Sequence, residues 1–412
     1  IESFFLIRIL ILDGQNNPMN ILHTLTAYPP STGGAQLHHH QLIKTLIKHH
    51  NVQILTYWDQ NRTDWLLGTT LKANNNSTSY VFEGVNINKI GFLWDEKIKM
   101  VPYLLSYYGF MSWSIKGLSR LILEKFKQIQ DGIDLVHNVR IGREPLSFAS
   151  YEFAKKKDIP FVLTPIHHPK WEGWPYNEYV NLYKLADLII ALTKKEKETL
   201  MRLGVKEEKI IITGIGPLLS PHKSKTDFKE KFNIKGAMIL FLGQHFKYKG
   251  YREILKSAKM VWAKFPDTYF VFIGPQYKNA KKFFDLFKNE KRIVSLGFVN
   301  LEEKTNAIAS CDIFCLPSTQ ESFGGVYTEA WSFKKPVIGC NIPAVSEVID
   351  DGLNGFLISQ DPQEISDKII LLLEDEKLRE NFGQSGYNKV NKKYSWDRLS
   401  TMTDSAYKNL VD

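Results

Sequence analysis

Apolar and polar positions along this chain form blocks that predict repeated strand–helix units. Short runs rich in Val, Ile, Leu and aromatic residues predict buried strands, and the longer amphipathic segments between them predict helices. In the first half the strand-like runs are NILHTLTAY, NVQILTYW, IDLVHNV, PFVLTPI and ADLIIALT, and the helix-like segments include GAQLHHHQLIKTLIKHH and SFASYEFAKKK. This alternation favours βαβ units on a parallel sheet.

The pattern restarts after ITGIGPLLSPHKSKTDF, a segment rich in Pro, Gly and Lys that predicts a linker. The strand-like runs of the second half are AMILFLGQ, TYFVFIGP, RIVSLGFV, CDIFCLPS, KPVIGCN and GFLISQ. We therefore predict an α/β protein with two Rossmann-like, doubly wound parallel sheets, which also suits a length of 412 residues. Because such sheets bind ligands at the carboxyl ends of their strands, we expect a cleft between two facing domains.

The boundaries of these domains follow from the same pattern. We place the first domain at residues 19–217 and the second at 218–392. Residues 1–18 lack the basic start and the cleavage site of a signal peptide, and we interpret them as a non-native extension outside the fold. The polar segment LKANNNSTSY, near residue 75, predicts a loop.

Composition restricts the class of protein without choosing a function. The chain has 53 Lys and Arg against 44 Asp and Glu, a formal charge of +9. This charge favours an anionic partner such as a nucleotide, a phospholipid surface or nucleic acid, or simply a solvated lysine-rich surface. It is scattered rather than interleaved with stacking aromatic residues, which argues against a nucleic-acid-binding protein.

Cysteine usage and hydropathy restrict the cellular compartments that suit this protein. The three cysteines, Cys311, Cys315 and Cys340, predict no disulfide framework and favour a reducing compartment. No run of 18 apolar residues predicts a membrane-spanning helix. We therefore expect a cytoplasmic protein, and peripheral contact with the inner face of the membrane stays open.

Two loops after predicted strands have residues suited to a phosphate. Gly33 and Gly34 lie between the first strand and the first helix, where glycine lets the backbone approach an anion. A plain tight turn explains them equally well. Lys247 and Lys249, in FLGQHFKYKGYREIL, follow the first strand of the second half and could bind a pyrophosphate, or could belong to a surface loop.

The segment ESFGGVYTEA has a carboxylate at each end of a glycine turn. If the helix begins at the glycines, the N–H groups of Phe323, Gly324 and Gly325 form an anion site with Glu321 and Glu329 on either side. A nucleotide sugar has the same order of groups: ribose hydroxyls, diphosphate and sugar hydroxyls. Helix capping explains one acid but not both, so we predict that Glu329 binds ribose and Glu321 binds the sugar.

These motifs resemble the retaining glycosyltransferases of family four (glycosyl transferases group 1), which have the GT-B fold. The resemblance covers nearly the whole chain from Met19. It rests on STQESFGGVYTEAWSFKKPVIGCNIPAVSEVIDDGLNGFLIS, on the Gly33–Gly34 turn and on the Gly243–Gly250 loop. A final helix introduced by YSWDRLS also matches, and we expect residues 393–412 to cross back to the first domain.

The resemblance implies a function and a mechanism. The protein would move a sugar from a nucleoside-diphosphate donor to a lipid-linked, saccharide or small-molecule acceptor with retention of configuration. The resemblance implies a front-face transfer, in which a diphosphate oxygen accepts the proton of the acceptor. Because no Asp-x-Asp occurs, we expect that this transfer needs neither a metal ion nor another cofactor. A nucleotide-sugar 2-epimerase and a non-catalytic GT-B binding protein are the alternatives.

The resemblance also assigns residues. It implies that Glu321 contacts the donor sugar, Glu329 the ribose and Lys249 the diphosphate, with the nucleotide base near Phe298 and Val299. The family usually has an arginine at the position of Gln244, and a glutamine supplies no charge. Charge compensation for the diphosphate would therefore rest on Lys249 and Lys247.

Histidines after the strands of the first half are further candidates for the site. The family places one near the donor sugar, after a strand that ends in Thr. VLTPIHHPKW supplies His167 and His168, of which we choose His167, with His137 as a weaker candidate. The runs His38–His40 and His49–His50 lack supporting cysteines or acids, so we predict no metal ligand.

Residues 98–126 mix aromatic, apolar and basic side chains. In a GT-B first domain this region lies on the acceptor side. It predicts either a basic amphipathic surface that rests on an anionic membrane, as for a lipid-linked acceptor, or ordinary core helices.

Overall fold

The computed structural model describes residues 17–30, 34–58, 71–129, 131–140, 142–167, 171–221 and 227–411. Its contacts divide the chain into two compact units. Ile1–Ile190, Gly204–Ile210 and Ser400–Asp412 form the first unit, and Ala191–Leu203 and Ile211–Leu399 form the second. This division differs from the predicted boundary after residue 217, because residues 191–203 and 211–217 group with the second unit.

The first unit is built on an eight-stranded sheet with the order β3-β4-β2-β1-β5-β6-β7-β8. Its strands are β1 (Asn20–Leu25), β2 (Asn51–Thr56), β3 (Thr78–Phe82), β4 (Val85–Lys89), β5 (Leu135–Val139), β6 (Phe161–Thr164), β7 (Leu188–Ala191) and β8 (Ile210–Ile212). The central strands are buried on both faces, as parallel strands covered by helices are, and this explains their continuous apolar runs.

An antiparallel hairpin at the edge of this sheet corrects one prediction. β3 and β4 pair antiparallel, and β3 begins at Thr78, inside the polar segment that we expected to be a loop. Both turn residues, Glu83 and Gly84, have positive φ, as a two-residue hairpin with a type I′ turn requires. The strand was missed because an edge strand exposes much of its length and therefore keeps polar residues.

Helices of the first unit connect the parallel strands. They are α1 (Gly34–Leu46), α2 (Trp94–Leu105), α3 (Met111–Leu123), α4 (Leu146–Lys157) and α5 (Asn177–Leu185), with shorter 3₁₀ turns at Glu124–Gln128, Trp174–Tyr176 and Glu207–Lys209. Within the described residues, no helix is both long and apolar enough to cross a membrane.

The last helix contributes to both units. It runs from Trp396 to Val411, and its residues from Ser400 onward group with the first unit. There Asp404 Oδ1 lies 2.7 Å from His50 Nε2, and the Tyr407 hydroxyl lies 2.5 Å from His137 Nδ1.

The second unit contains a six-stranded parallel sheet with the order β11-β10-β9-β12-β13-β14. Its strands are β9 (Met238–Leu242), β10 (Tyr269–Ile273), β11 (Ile293–Gly297), β12 (Ile313–Leu316), β13 (Val337–Cys340) and β14 (Gly355–Ile358). The buried side chains of β9, β10, β12 and β13 form the core of this unit. The two sheets confirm the predicted α/β architecture.

Helices of the second unit alternate with these strands. They are α6 (Lys194–Arg202), α7 (Phe228–Lys231), α8 (Tyr251–Lys264), α9 (Lys278–Phe284), α10 (Leu301–Ser310), α11 (Gly325–Ser332), α12 (Pro343–Ser346), α13 (Pro362–Glu374) and α14 (Glu376–Lys389); 3₁₀ turns at Lys247–Lys249 and Asp285–Phe287 and a π-helical turn at Val390–Tyr394 complete the unit, and the final helix is α15 (Trp396–Val411). The carboxyl ends of β9 and β12 lead into the two loops that the sequence singled out.

Candidate functional site

Two loops of the second unit are tied together at the carboxyl edge of its sheet. One follows β9 and contains Lys247–Lys249, and the other follows β12. The Thr319 backbone N–H donates to the Tyr248 carbonyl at 2.9 Å. The side-chain amide of Gln360 donates to the carbonyls of Tyr248 and Pro317, at 2.9 and 2.6 Å. These hydrogen bonds hold the two loops against each other.

Lys249 and Glu321 form an ion pair across these loops. Lys249 Nζ lies 2.6 Å from Glu321 Oε1, and both side chains are largely shielded from solvent. Gly250, which follows, has a φ of 80° and is the residue before α8. A Cβ at Gly250 would lie 2.6 Å from the Pro317 carbonyl, so glycine is required for the close approach that holds Lys249 against Glu321.

The helix α11 begins at the glycine pair, as predicted. Gly324 has a φ of 82° and is the residue before the helix, which starts at Gly325. A Cβ at Gly324 would lie 2.5 Å from the Tyr327 ring, whose hydroxyl donates to the Leu316 carbonyl at 2.8 Å. The first N–H groups of a helix lack intrahelical acceptors, so this end of α11 offers donors to an anion. Phe323 is buried in the core of the unit.

Glu329 is a buried carboxylate with one oxygen unused. Its Oε1 accepts from Lys304 Nζ at 2.8 Å, and the residue is 3% exposed. Its Oε2 is buried and finds no hydrogen-bond partner among the residues that the structure describes. Burial raises the pKa of Glu329, while Lys304 and the Leu218 backbone oppose that rise. A buried acceptor without a partner is costly, which indicates that a hydroxyl donor belongs there.

Gln244 and Lys247 lie on the loop after β9, and both are exposed. The loop comes close to the neighbouring strand end, since the Gly243 N–H donates to the Ile273 carbonyl at 3.0 Å. A Cβ at Gly274 would lie 2.0 Å from the Gly243 carbonyl oxygen. Gln244 carries no charge and is open to solvent. Lys249 is the lysine of this loop that an ion pair with Glu321 holds in place.

The predicted base-contact residues follow β11. Phe298 is 61% exposed, and Val299 packs against the core of the unit. An exposed aromatic ring at the carboxyl edge of a parallel sheet is available for stacking. On the loop after β9, the Phe246 ring stacks on the Tyr277 ring, with ring centroids 4.5 Å apart.

The candidate residues of the first unit lie in two different segments, at the start of α1 and after β6. Gly34 is the first residue of α1, whereas Gly33 and His168 lie outside the described residues. His167 is buried after β6, with Nδ1 at 3.3 Å from the Tyr183 hydroxyl and Nε2 at 3.6 Å from Glu172 Oε1. His167 is thus held by a phenol and a carboxylate, and its role in transfer stays a prediction.

Sequence reasoning missed two residues that position this site. Lys304 lies on α10 and Gln360 two residues after the end of β14, and neither lies in a motif that the sequence analysis singled out. Their partners are distant in sequence, so only the folded sheet brings them to Glu329 and to the loop after β9. The one sequence signal that could have pointed to Lys304 is its position on α10, the helix that precedes β12 in a βαβ unit.

Two α/β units, each built on a largely parallel sheet, are the architecture of the GT-B class, and comparison with protein families gives the family. Residues 222–389 match the family described as glycosyl transferases group 1, and residues 32–214 match glycosyltransferase family 4. The chain belongs to the group 1 glycosyltransferases with the GT-B fold. The resemblance predicted from the sequence motifs is therefore confirmed.

Individual relatives and solved structures agree with this assignment. An uncharacterized glycosyltransferase of Methanocaldococcus jannaschii is 25% identical over 394 residues, which cover 93% of this chain and 97% of the relative. The N,N'-diacetylbacillosaminyl-diphospho-undecaprenol alpha-1,3-N-acetylgalactosaminyltransferase of Campylobacter jejuni is 29% identical over 213 residues, covering 49% and 55%. The crystal structure of Anabaena HepE in complex with UDP-glucose superposes with a TM-score of 0.72 at 15% identity, covering 95% and 100%. At that identity, the structural likeness shows the fold.

Proposed function

We propose that this glycosyltransferase uses a nucleoside-diphosphate sugar as donor and retains the configuration of the transferred sugar. The observation that carries the proposal is the unused Oε2 of buried Glu329, which is eight positions beyond Glu321 across the glycine start of α11. Oε2 would accept from a ribose hydroxyl, and Glu321 from hydroxyls of the sugar. The UDP-glucose bound by the HepE neighbour supports this class of donor.

The diphosphate would lie between the two acids. Lys249 Nζ, held by the tied loops, and the N–H groups at the start of α11 would stabilise its charge, with the exposed Lys247 as a second cation. As the sugar–phosphate bond breaks, negative charge grows on the leaving diphosphate oxygen. Lys249 would stabilise that charge, which is why the proposal requires no metal ion.

Retention would follow from a transfer on one face of the sugar. The acceptor hydroxyl would attack the anomeric carbon on the face from which the diphosphate leaves, and its proton would pass to a diphosphate oxygen. Glu321 is engaged by Lys249 at 2.6 Å and would contact the donor sugar, so it would not serve as a nucleophile. This differs from retaining glycosidases, in which a second carboxylate forms a covalent intermediate.

Donor binding and product analysis test this proposal together. We expect one class among UDP-, GDP- and ADP-sugars to raise the melting temperature by about 5 °C at a hundred times its Kd. With an acceptor, NMR of the product should show the donor's anomeric configuration, and EDTA should not abolish transfer. A 2-epimerised sugar without transfer would support the epimerase alternative, and the absence of any shift would contradict the proposal.

We also propose that the acceptor is lipid-linked and that the first unit contacts an anionic membrane. Along α2, Trp94, Ile98 and Leu105 are exposed at helical spacing, on a different face from Met100 and Leu104, which are buried. The Campylobacter relative, named for a diphospho-undecaprenol acceptor, supports this acceptor class. These exposed apolar residues favour a membrane surface over the alternative of ordinary core helices.

The neighbouring helix supplies the matching charge. On α3, Trp113, Lys116 and Arg120 are exposed at spacings of three and four residues, so they share one face. The loop between the helices exposes Phe110, at 70%. Aromatic residues beside cations suit the interface of a bilayer that contains anionic lipids.

Vesicle sedimentation tests the membrane contact. We expect the protein to bind vesicles that contain phosphatidylglycerol and to lose at least about 10-fold in affinity between low and high salt. A Trp94→Ser/Ile98→Ser double substitution should reduce binding by a similar factor. Leu286→Ser, which removes an exposed apolar side chain from the second unit, should not. If neither high salt nor the double substitution weakened vesicle binding, the proposed membrane contact would be contradicted.

A further inference from the structure

Three buried histidines from three elements of the first unit converge on one point. His23 of β1 and His137 of β5 are register partners on adjacent strands, and His39 of α1 lies over them. The ring centroids are 4.8 Å (His23–His39), 5.1 Å (His23–His137) and 4.9 Å (His39–His137) apart. All three residues are almost completely buried. We call them the histidine triad.

The polar atoms of the triad are incompletely satisfied. His23 Nδ1 lies 2.8 Å from His39 Nε2, so these two nitrogens share one proton. His137 uses both nitrogens, with the Tyr407 hydroxyl at 2.5 Å and Thr164 Oγ1 at 2.8 Å. His23 Nε2 is buried and has no hydrogen-bond partner within the described part of the chain. A buried nitrogen without a partner, beside two more imidazoles, indicates that a further group completes the cluster.

The geometry points to a metal ion as that group: we propose that the histidine triad binds a first-row divalent transition metal, with Zn²⁺ as the preferred probe. One ring nitrogen of each histidine lies within 4.8 Å of one in each of the others. In a tetrahedral Zn²⁺ site with Zn–N bonds of about 2.1 Å, ligand nitrogens are roughly 3.4 Å apart. Binding therefore requires the nitrogens to close by roughly 1.4 Å at most.

The chemistry of the side chains suits this ligand. A neutral imidazole binds a metal ion through the lone pair of a ring nitrogen. Imidazole nitrogens favour Zn²⁺, Cu²⁺ and Ni²⁺ over Mg²⁺ and Ca²⁺, which prefer oxygen. This inference revises our expectation that no histidine is a metal ligand, and it concerns a site separate from the donor residues of the second unit.

The proposed ion would have a structural role. Tyr407, on the C-terminal helix α15, contacts His137 and is buried, so its hydroxyl is available as a fourth ligand or as a partner that orients His137. The ion would join β1, β5 and α1 to the end of α15. If it binds the folded chain and not the unfolded one, it would raise the melting temperature by an amount that grows with the logarithm of the ratio of free metal to Kd.

Metal titration of the full chain, purified with a tag that contains no histidine and stripped with chelator, tests the proposal. We expect wild type to bind one equivalent of Zn²⁺ by elemental analysis and calorimetry. Its melting temperature should rise by about 5 °C at a hundred times the Kd. His39→Gln should lose at least about 100-fold in Zn²⁺ affinity. The control His49→Gln, which changes an exposed histidine outside the triad, should bind as wild type does.

A second variant keeps the test decisive. If His39→Gln fails to fold by circular dichroism, His23→Asn provides the same comparison. Co²⁺ offers an independent readout, because a tetrahedral nitrogen site gives intense visible absorption that the triad variants should lack. No stoichiometric Zn²⁺ binding by wild type, or unchanged binding by a folded triad variant, would overturn the proposal.

Discussion

Replacing Glu329 with Gln is expected to lower kcat/KM by about 100-fold or more, mainly through a higher KM for the donor. The substitution keeps the shape of the side chain but removes the charge that would hold the ribose hydroxyls. It also weakens the 2.8 Å contact with Lys304. Because the ribose is remote from the bond that breaks, ground-state and transition-state binding should suffer alike, which raises KM more than it lowers kcat. Steady-state kinetics with the donor identified by the melting screen measures both.

A pH profile and a neighbouring control make this prediction specific. Since burial raises the pKa of Glu329, its carboxylate is lost at a higher pH than that of an exposed glutamate. Donor affinity of wild type should therefore be intact above the raised pKa and fall as the pH drops through it, whereas Glu329→Gln should lack this limb. Glu302→Gln, on the exposed face of α10, should match wild type in KM and in pH profile. An unchanged donor KM in Glu329→Gln would remove the ribose assignment.

Replacing Lys249 with Met is expected to have the larger effect on the chemical step. We expect kcat to fall on the order of 100- to 1000-fold, because the ammonium would stabilise charge that develops on the leaving diphosphate. The donor KM should change much less, since most of that charge appears only in the transition state. Single-turnover kinetics separates the loss in kcat from the change in donor binding.

Two comparisons guard this result against a purely structural effect. Lys249→Met leaves Glu321 without the partner that lies 2.6 Å away, so the melting temperature of the variant must be measured beside its activity. Lys256→Met removes an exposed lysine from α8, next to the same loop, and should leave kcat within about 2-fold of wild type. If a folded Lys249→Met variant kept its kcat, a group other than Lys249 would have to stabilise the charge on the leaving diphosphate.

Much of the fold followed from local pattern. Runs such as MILFL of β9 and FVLT of β6 are buried along their whole length, so their apolar character alone marked them as parallel strands. The β3–β4 hairpin escaped because β3 is mostly exposed and begins with the polar Thr78 and Ser79, and β4 alternates apolar and polar residues. The predicted boundary after residue 217 also differs from the division seen in the structure. Residues 191–203 group with the second unit through their contacts, which the composition of the linker does not reveal.

The candidate site divides in the same way. The two acids and the glycines of α11 lie within one segment, and a helix start places them by its own geometry, so their spacing could be interpreted directly. Lys304 and Gln360 come from separate βαβ units, and their contacts depend on which strands are neighbours. The run His38–His40 appeared isolated for the same reason, since the companions of His39 lie on β1 and β5.

The amino-acid sequence by itself determined the two parallel-sheet domains, the glycine-started helix and the pair of glutamates, because each depends on residues close together in the chain. Only the tertiary structure decided which lysine each glutamate contacts and which Glu329 oxygen stays unused. It also decided that three histidines meet in one core. The physical reason is that pairing in a parallel sheet joins segments distant in sequence, and burial then sets the cost of every polar atom left without a partner.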